Sequence, residues 1–271
     1  MTAKSVDAGV GVATVRAVLV SEWTKIRTVP STVWTPVLAL ALSAGLGRLL
    51  AGMLRDSYAT RSPGRQEALD PIFATFYSLT LGQLALVVFG VLVVGGEYGS
   101  GTIRASLLAV PRRGLFYGCK MLAGTVPVLA VSVVTVTATF FAAQAGLGPY
   151  GTSLLADGMP AAFAGACLYL TLISMFAMGV TAMLRGSTLS LGILLPLFFL
   201  GSQGLGNVPA IKAVTQYLPD QAGMVIMHIA GPQDDPRWAR DYGPWTGLGI
   251  LALWAAAALV GGYLVMRRRD A

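Results

Sequence analysis

Apolar residues recur along this chain first at helical spacing and then in long unbroken runs. Between residues 10 and 28, Val12, Val15, Leu19, Trp23 and Ile26 return at steps of three and four, while Arg16, Glu22, Lys25 and Arg27 fall elsewhere on the wheel. That is the pattern of a helix with one oily face. Pro30 and Ser31 separate it from six apolar runs, placed near 33–53, 72–95, 119–142, 160–183, 188–206 and 245–266. Each is long enough to cross about 30 Å of hydrocarbon at about 1.5 Å per residue. The fifth is the weakest, being short, glycine-rich and interrupted by Pro196. The pattern predicts an all-α polytopic membrane protein with six transmembrane helices in one domain, 1–271. An interfacial amphipathic helix, 10–29, leads into the first span. Trp23 and the basic residues suit a helix lying in a membrane surface.

Two polar interruptions are longer than a connection needs. The first runs from Gly96 to Lys120, GEYGSGTIRASLLAVPRRGLFYGCK. Gly99 and Gly101 are expected to break the incoming helix, and Thr102 to cap a new one. Ile103, Leu107 and Leu108 then share a face, with Arg104, Ser106 and Ala109 between them. Pro111 ends the helix before a basic turn at Arg112 and Arg113. A plain positive-inside loop, its arginines among lipid headgroups, is the competing reading. Glu97 weighs against it, since a carboxylate beside anionic lipid is unfavourable; it is expected to pair with Arg104 or with a partner's side chain. The second interruption, 207–244, is expected to lie on the outer face or to dip in and return. Pro219 and Gly223 divide its apolar part into two short amphipathic pieces. Trp238, Tyr242 and Trp245 read as interfacial anchors.

Composition agrees with a membrane location. Of 271 residues 55% are hydrophobic and 11% charged, with mean hydropathy +0.70, which excludes an ordinary soluble domain. The net charge of +7 reports topology and lipid contact here rather than nucleic acid. With the N-terminus inside, the inner segments hold Lys4, Arg16, Lys25, Arg27, Arg104, Arg112, Arg113, Lys120, Arg185 and Arg267 to Arg269, against Asp7, Glu22, Glu97 and Asp270. The outer segments hold fewer basic residues, four of them between 48 and 65, so both termini are expected to be cytoplasmic in a cell membrane. Arg48 is expected to reach back to the outer headgroups. The two cysteines, Cys119 and Cys167, lie within or beside apolar runs, which argues against a structural disulfide.

Catalytic and metal-binding patterns are missing from the sequence. It contains no phosphate-binding loop, no nucleophile elbow and no zinc motif. His228 is its one histidine, and the runs are almost free of ionisable residues, which disfavours ion-coupled carriers. Gln83, Thr135, Thr139 and Gln203 are the polar residues a translocation path would use; interhelical hydrogen bonding is the plainer role. Ala41/Gly45 and Ser43/Gly47 are small-xxx-small pairs suited to close helix packing, including a dimer face.

These features together resemble the transmembrane subunits of type-two ATP-binding-cassette exporters, the permease family that includes many actinobacterial efflux systems. The resemblance covers nearly the whole chain and rests on three patches. One is SEWTKIRTVPSTVW at 21–34, similar to the family's elbow into the first span. Another is the 97–118 segment with Lys120, where Glu97, Gly101, Thr102, Leu107, Leu108, Pro111, Arg113 and Lys120 fall on the family's coupling pattern. The third is Tyr217 to Pro219 before the last span. The resemblance implies a permease that is not itself an enzyme and binds no cofactor. A homodimer or heterodimer of permeases would pair with two cytoplasmic ATPase subunits, which hold ATP and Mg. It implies coupling to the ATPase through Glu97, Tyr98, Gly101, Thr102, Arg104, Leu107, Leu108, Pro111, Arg112, Arg113 and Lys120, with an elbow at Glu22, Trp23, Lys25 and Arg27. An amphipathic drug, peptide or lipid is the expected substrate. A non-transporting scaffold that recruits a cytoplasmic partner through the same segment is the alternative.

Overall fold

The computed structural model describes residues 3–59, 70–233, 235 and 238–268, with side chains from residue 15 onward. Arg61, Arg65, Arg237, Arg269 and Asp270, counted above for topology, lie outside these residues, as do the side chains of Lys4, Asp7 and Val12. Every regular element among the described residues is helical. Five helices are long and apolar enough to cross a membrane: α2 (Pro30–Ala59), α4 (Leu79–Ser100), α6 (Arg113–Leu147), α7 (Met159–Leu184) and α11 (Pro244–Arg268). The chain is a multi-pass membrane protein on that evidence. The fifth predicted run forms α8 (Ser187–Ser202), whose 16 residues reach about 24 Å.

Helix α1 (Ala3–Thr28) begins earlier than the amphipathic pattern predicts. Its buried face also departs from the prediction. Val18, Glu22 and Ile26 are buried while Trp23 is 43% exposed, so a carboxylate replaces an aromatic ring on the packed side. The predicted second run is divided. Asp70 accepts hydrogen bonds from the backbone N–H groups of Ile72 (2.8 Å) and Phe73 (3.2 Å) and caps α3 (Pro71–Phe76), with Pro71 at its first position. Tyr77 and Ser78 then tighten into three-residue bonds before α4 begins.

Helices α4 and α7 form the inner layer, with 72% and 67% of their most apolar stretches buried, against 22% for α2 and 28% for α11. The outer pair therefore leaves most of its apolar surface to lipid or to another chain. Close approach of α2 to α4 depends on small residues: a Cβ on Gly82 would sit 1.8 Å from the Ser43 hydroxyl. The Ser43/Gly47 pair is thus consumed inside the chain, and Ala41 and Gly45 are the exposed pair. Three apolar clusters result. The largest lies around Leu86, Tyr169, Leu170 and Ile173. A second joins the ends of α1, α4, α6 and α11 around Val18, Phe89, Phe116 and Met266, and a small third gathers Ala51, Ala74, Ala143 and Leu147.

The long connection after α8 folds inward. Its two short helices, α9 (Lys212–Thr215) and α10 (Pro219–Met224), are followed by a turn through Met227, and every residue from Pro219 to Met227 is buried against α7, α8 and α11.

Candidate functional site

The segment 97–120 is built around a left-handed glycine. Gly101 (φ 72°) ends α4 and begins α5 (Thr102–Ala109), a conformation that glycine adopts without steric cost. Two details differ from the sequence reading. Gly99 stays inside α4, and Thr102 is not the cap; its hydroxyl lies 2.9 Å from that of Ser100. Helix α5 ends at Ala109, ahead of Pro111, as the proline predicts. It packs Ile103 and part of Leu107 inward, while Leu108 is 84% exposed and Arg104 and Arg112 stand in the open. Arg113 turns the other way and donates to the carbonyls of Met266 (3.0 Å) and Arg267 (3.4 Å) at the end of α11.

Beneath α5 lies a cluster of four charges. Lys120, 1% exposed on the second turn of α6, donates to Glu22 Oε2 at 2.5 Å and lies 3.1 Å from Glu97 Oε1. Lys25 reaches the same two acids, Glu22 Oε1 at 2.6 Å and Glu97 Oε1 at 2.5 Å. Two lysines and two glutamates thus alternate in a closed ring with no net charge, drawn from α1, α4 and α6. Glu97 pairs with these lysines and not with Arg104, because its place in the last turn of α4 faces the crossing of α1 and α6. Partial burial pulls the Lys25 ammonium down, but its hydrogen bonds to the two glutamates outweigh that and hold it above the ordinary lysine range. Lys120 also lies 5.4 Å from the Phe116 ring. Glu97 Oε2 is buried without a hydrogen-bond partner.

A groove of about 720 Å³ runs between α1 and α5, with Ala17, Ser21, Ala105 and Ala109 on its walls and Glu22, Lys25 and Phe116 among its lining. The short link between α7 and α8 reaches the same region: the Arg185 guanidinium lies 5.5 Å from the Tyr98 ring, and Gly95 abuts Ser187. Both turns on this side of the molecule therefore meet at the end of α4.

The residues suggested for a path are placed otherwise. Gln83, Thr135 and Thr139 are fully buried between helices of one chain, with the Gln83 side-chain oxygen accepting from the Tyr169 hydroxyl. Gln203 is exposed at the opposite end, where it lines a pocket of about 550 Å³ with Tyr58, Asp70, Phe73, His228 and Trp238.

Sequence reasoning missed two polar groups at that opposite end. His228 Nδ1 lies 2.6 Å from Asp70 Oδ2. Asp220, Gln221 and Arg240 form a buried knot: Arg240 donates to Gly206 O (2.6 Å) and Asn207 Oδ1 (2.7 Å), and Gln221 to Gly201 O (2.8 Å) and Asp220 Oδ2 (2.8 Å). The signal was present, since one charged residue, Asp220, among the apolar neighbours of 219–227 requires a partner. Among the described residues no group of three His, Cys, Asp or Glu side chains is arranged to hold a metal.

No protein-family model matches the sequence, and no curated protein matches it.

Proposed function

We propose that this chain is the membrane subunit of an ATP-driven exporter, with the 97–120 segment as the seat of a separate cytoplasmic ATPase. In this reading α8 is a sixth, short span, both termini are cytoplasmic, and two copies pair in the cell membrane to enclose the path. The observation that carries it is the buried ring Glu22–Lys120–Glu97–Lys25 under an exposed short helix. A ring of buried charges is poor evidence for stability, because an apolar cluster of equal volume does as well or better. Its mechanical property is different. Sliding α1 or α4 against α6 separates opposite charges in a poor solvent, so the helices either move together or jump between discrete contacts. Force applied to α5 would then pass to α4 through Gly101, to α6 through Lys120 and to α1 through Glu22. Leu108, Arg104 and Arg112 are free to meet a partner. The apolar groove of about 720 Å³ between α2, α4 and α8, lined by Leu38, Leu84, Leu195 and Phe199, supplies a surface for the second copy. ATP and Mg would be held by the partner.

The test is purification of the chain with its native partners and measurement of ATP hydrolysis by the complex. Leu108→Asp alters only an exposed position and is expected to release the ATPase. Glu97→Gln is expected to leave the complex assembled but uncouple hydrolysis from transport. An assembled complex with unchanged hydrolysis and transport in both variants rules the reading out.

A further inference from the structure

Two hollows of about 180 and 250 Å³ adjoin on the outside of the α2–α6 contact and share Pro36 and Val131. Together they make one furrow. It starts at Trp23 and Arg27 on α1, passes Pro127, and ends near Val134 and Thr135. Both prolines lie within their helices, where the ring replaces a backbone donor.

The furrow is apolar along its body and cationic at one end. The Thr32 hydroxyl on its wall is already engaged, donating to the carbonyls of Ile26 (2.6 Å) and Val29 (2.8 Å). What enters the body must therefore be hydrocarbon. At the mouth, the Arg27 guanidinium lies 6.0 Å from the Trp23 ring. Among the described residues no carboxylate is within ion-pair range of Arg27, because Glu22 and Glu97 are taken by the two lysines. An exposed Trp beside an Arg at the foot of two spans is the arrangement found at headgroup depth. Val33, Val37 and Val134 flank the furrow with 43%, 46% and 56% of their surface exposed, so it opens to the surroundings of the spans, with the buried Leu86, Phe89 and Val128 as its floor.

We propose that the furrow is a binding site for one anionic phospholipid of the leaflet in which α1 lies, an acyl chain between α2 and α6 and the phosphate on Arg27. A guanidinium matches a phosphate in charge and in its forked donor geometry. This rests on the membrane placement of α1 and is independent of any ATPase.

The full chain, purified in detergent, is given equal amounts of phosphatidylglycerol and phosphatidylcholine with identical acyl chains, and retained lipid is counted by native mass spectrometry. One basic residue at a membrane surface contributes about 1 kcal/mol toward an anionic lipid, so retention is expected to favour phosphatidylglycerol about five-fold. Arg27→Gln should bring the ratio near one while keeping some of both lipids. Ala130→Trp fills the furrow from an exposed position and should lower both lipids without changing the ratio. Excess glycerol phosphate, a headgroup without chains, should displace nothing. A preference unchanged in Arg27→Gln, retention unchanged in Ala130→Trp, or displacement by glycerol phosphate overturns the proposal. None of these readings depends on a partner, so loss of the export reading would leave the result standing.

Discussion

The two ends of the molecule bury charge in opposite ways. At the α5 end, four charges satisfy one another in a ring that crosses three helices. At the other end, Asp220 and Arg240 are both buried, yet each is tied to neutral amides and carbonyls, and a carboxylate oxygen of Asp220 and Nε of Arg240 have no partner. Charges that depend on charges from other helices register those helices against one another. Charges held by local backbone fasten a loop in place. The first end ties three helices to one another and the second pins a connection to the helix ends, and each substitution weighs one against the other.

The largest effect is expected at Lys120. Lys120→Met leaves Glu22 and Glu97 facing each other with only the half-exposed Lys25 between them. Removing one partner of a buried pair costs about 3–5 kcal/mol, which should appear as a large drop in melting temperature and in yield. The triple variant with Glu22→Gln and Glu97→Gln removes the unpaired charge and should recover most of it. If Lys120→Met alone melts like the parent chain, the ring does not hold the helices and the comparison collapses.

Asp220 comes next. Burial pushes its carboxyl up to about 6, against the hydrogen bond from Gln221 and the charge of Arg240. A carboxyl whose folded pKa lies above its unfolded value of 3.8 favours the fold below that value and loses this contribution as pH rises toward 6. The lost contribution is on the order of 2–3 kcal/mol. Asp220→Asn should therefore flatten the pH dependence of melting between pH 4 and 6 and melt above the parent at pH 7.5. A variant that melts lower at pH 7.5 would mean that the ionised carboxylate is supported by its surroundings, and that this end also pairs charge with charge.

The difference between the ends was unevenly legible in the sequence. Run lengths predicted six spans, of which five are helices long enough to cross a membrane while the run at α8 gives only 16 helical residues; Pro111 gave the end of α5, because the backbone imposes that limit locally. Glu97 and Lys120 were flagged as belonging to one functional segment, but their partner on α1 was not. Glu22 was assigned to the polar side of an amphipathic helix, since periodicity counts a glutamate as solvent-facing and cannot see a lysine arriving from a helix 98 positions on. The division of the second run at Tyr77 and Ser78 was hidden for a related reason: apolar residues continue across it, and Ser78 at the start of α4 makes no side-chain cap that would mark the break. The knot at Asp220 had the weakest signal, since its partners are mostly backbone atoms of Gly201 and Gly206 that no side-chain pattern announces.

A smaller effect is expected at Lys25. It touches the same glutamates as Lys120, but its side chain is 39% exposed, so water already screens the contact. Lys25→Gln should cost about 1 kcal/mol or less, several-fold below Lys120→Met, and the loss should shrink as salt is raised. Equal costs at the two lysines would show that the ring is wetter than its geometry implies.

The smallest effect belongs to the pair His228–Asp70, which is partly exposed on both sides, 42% and 39%. The hydrogen bond that His228 donates to Asp70 raises the His228 pKa against partial burial. Burial would raise Asp70, but His228 and the amides of Phe73 and Ile72 bring it below its ordinary value. The histidine's contribution is complete below 6.5 and fades as pH rises through its raised folded value. The aspartate's is complete above 3.8 and fades as pH falls through its lowered one. The pair is therefore strongest in mildly acidic solution between those limits. His228→Ala should cost under about 1 kcal/mol near pH 5.5 and almost nothing at pH 9, measured as the difference in melting temperature from the parent at each pH. The Asp70 cap of α3 is retained in this variant, so a loss that persists at pH 9 would assign the contact to packing of the α3 entry and not to charge, leaving Asp220 as the titrating group that distinguishes this end from the ring of four charges.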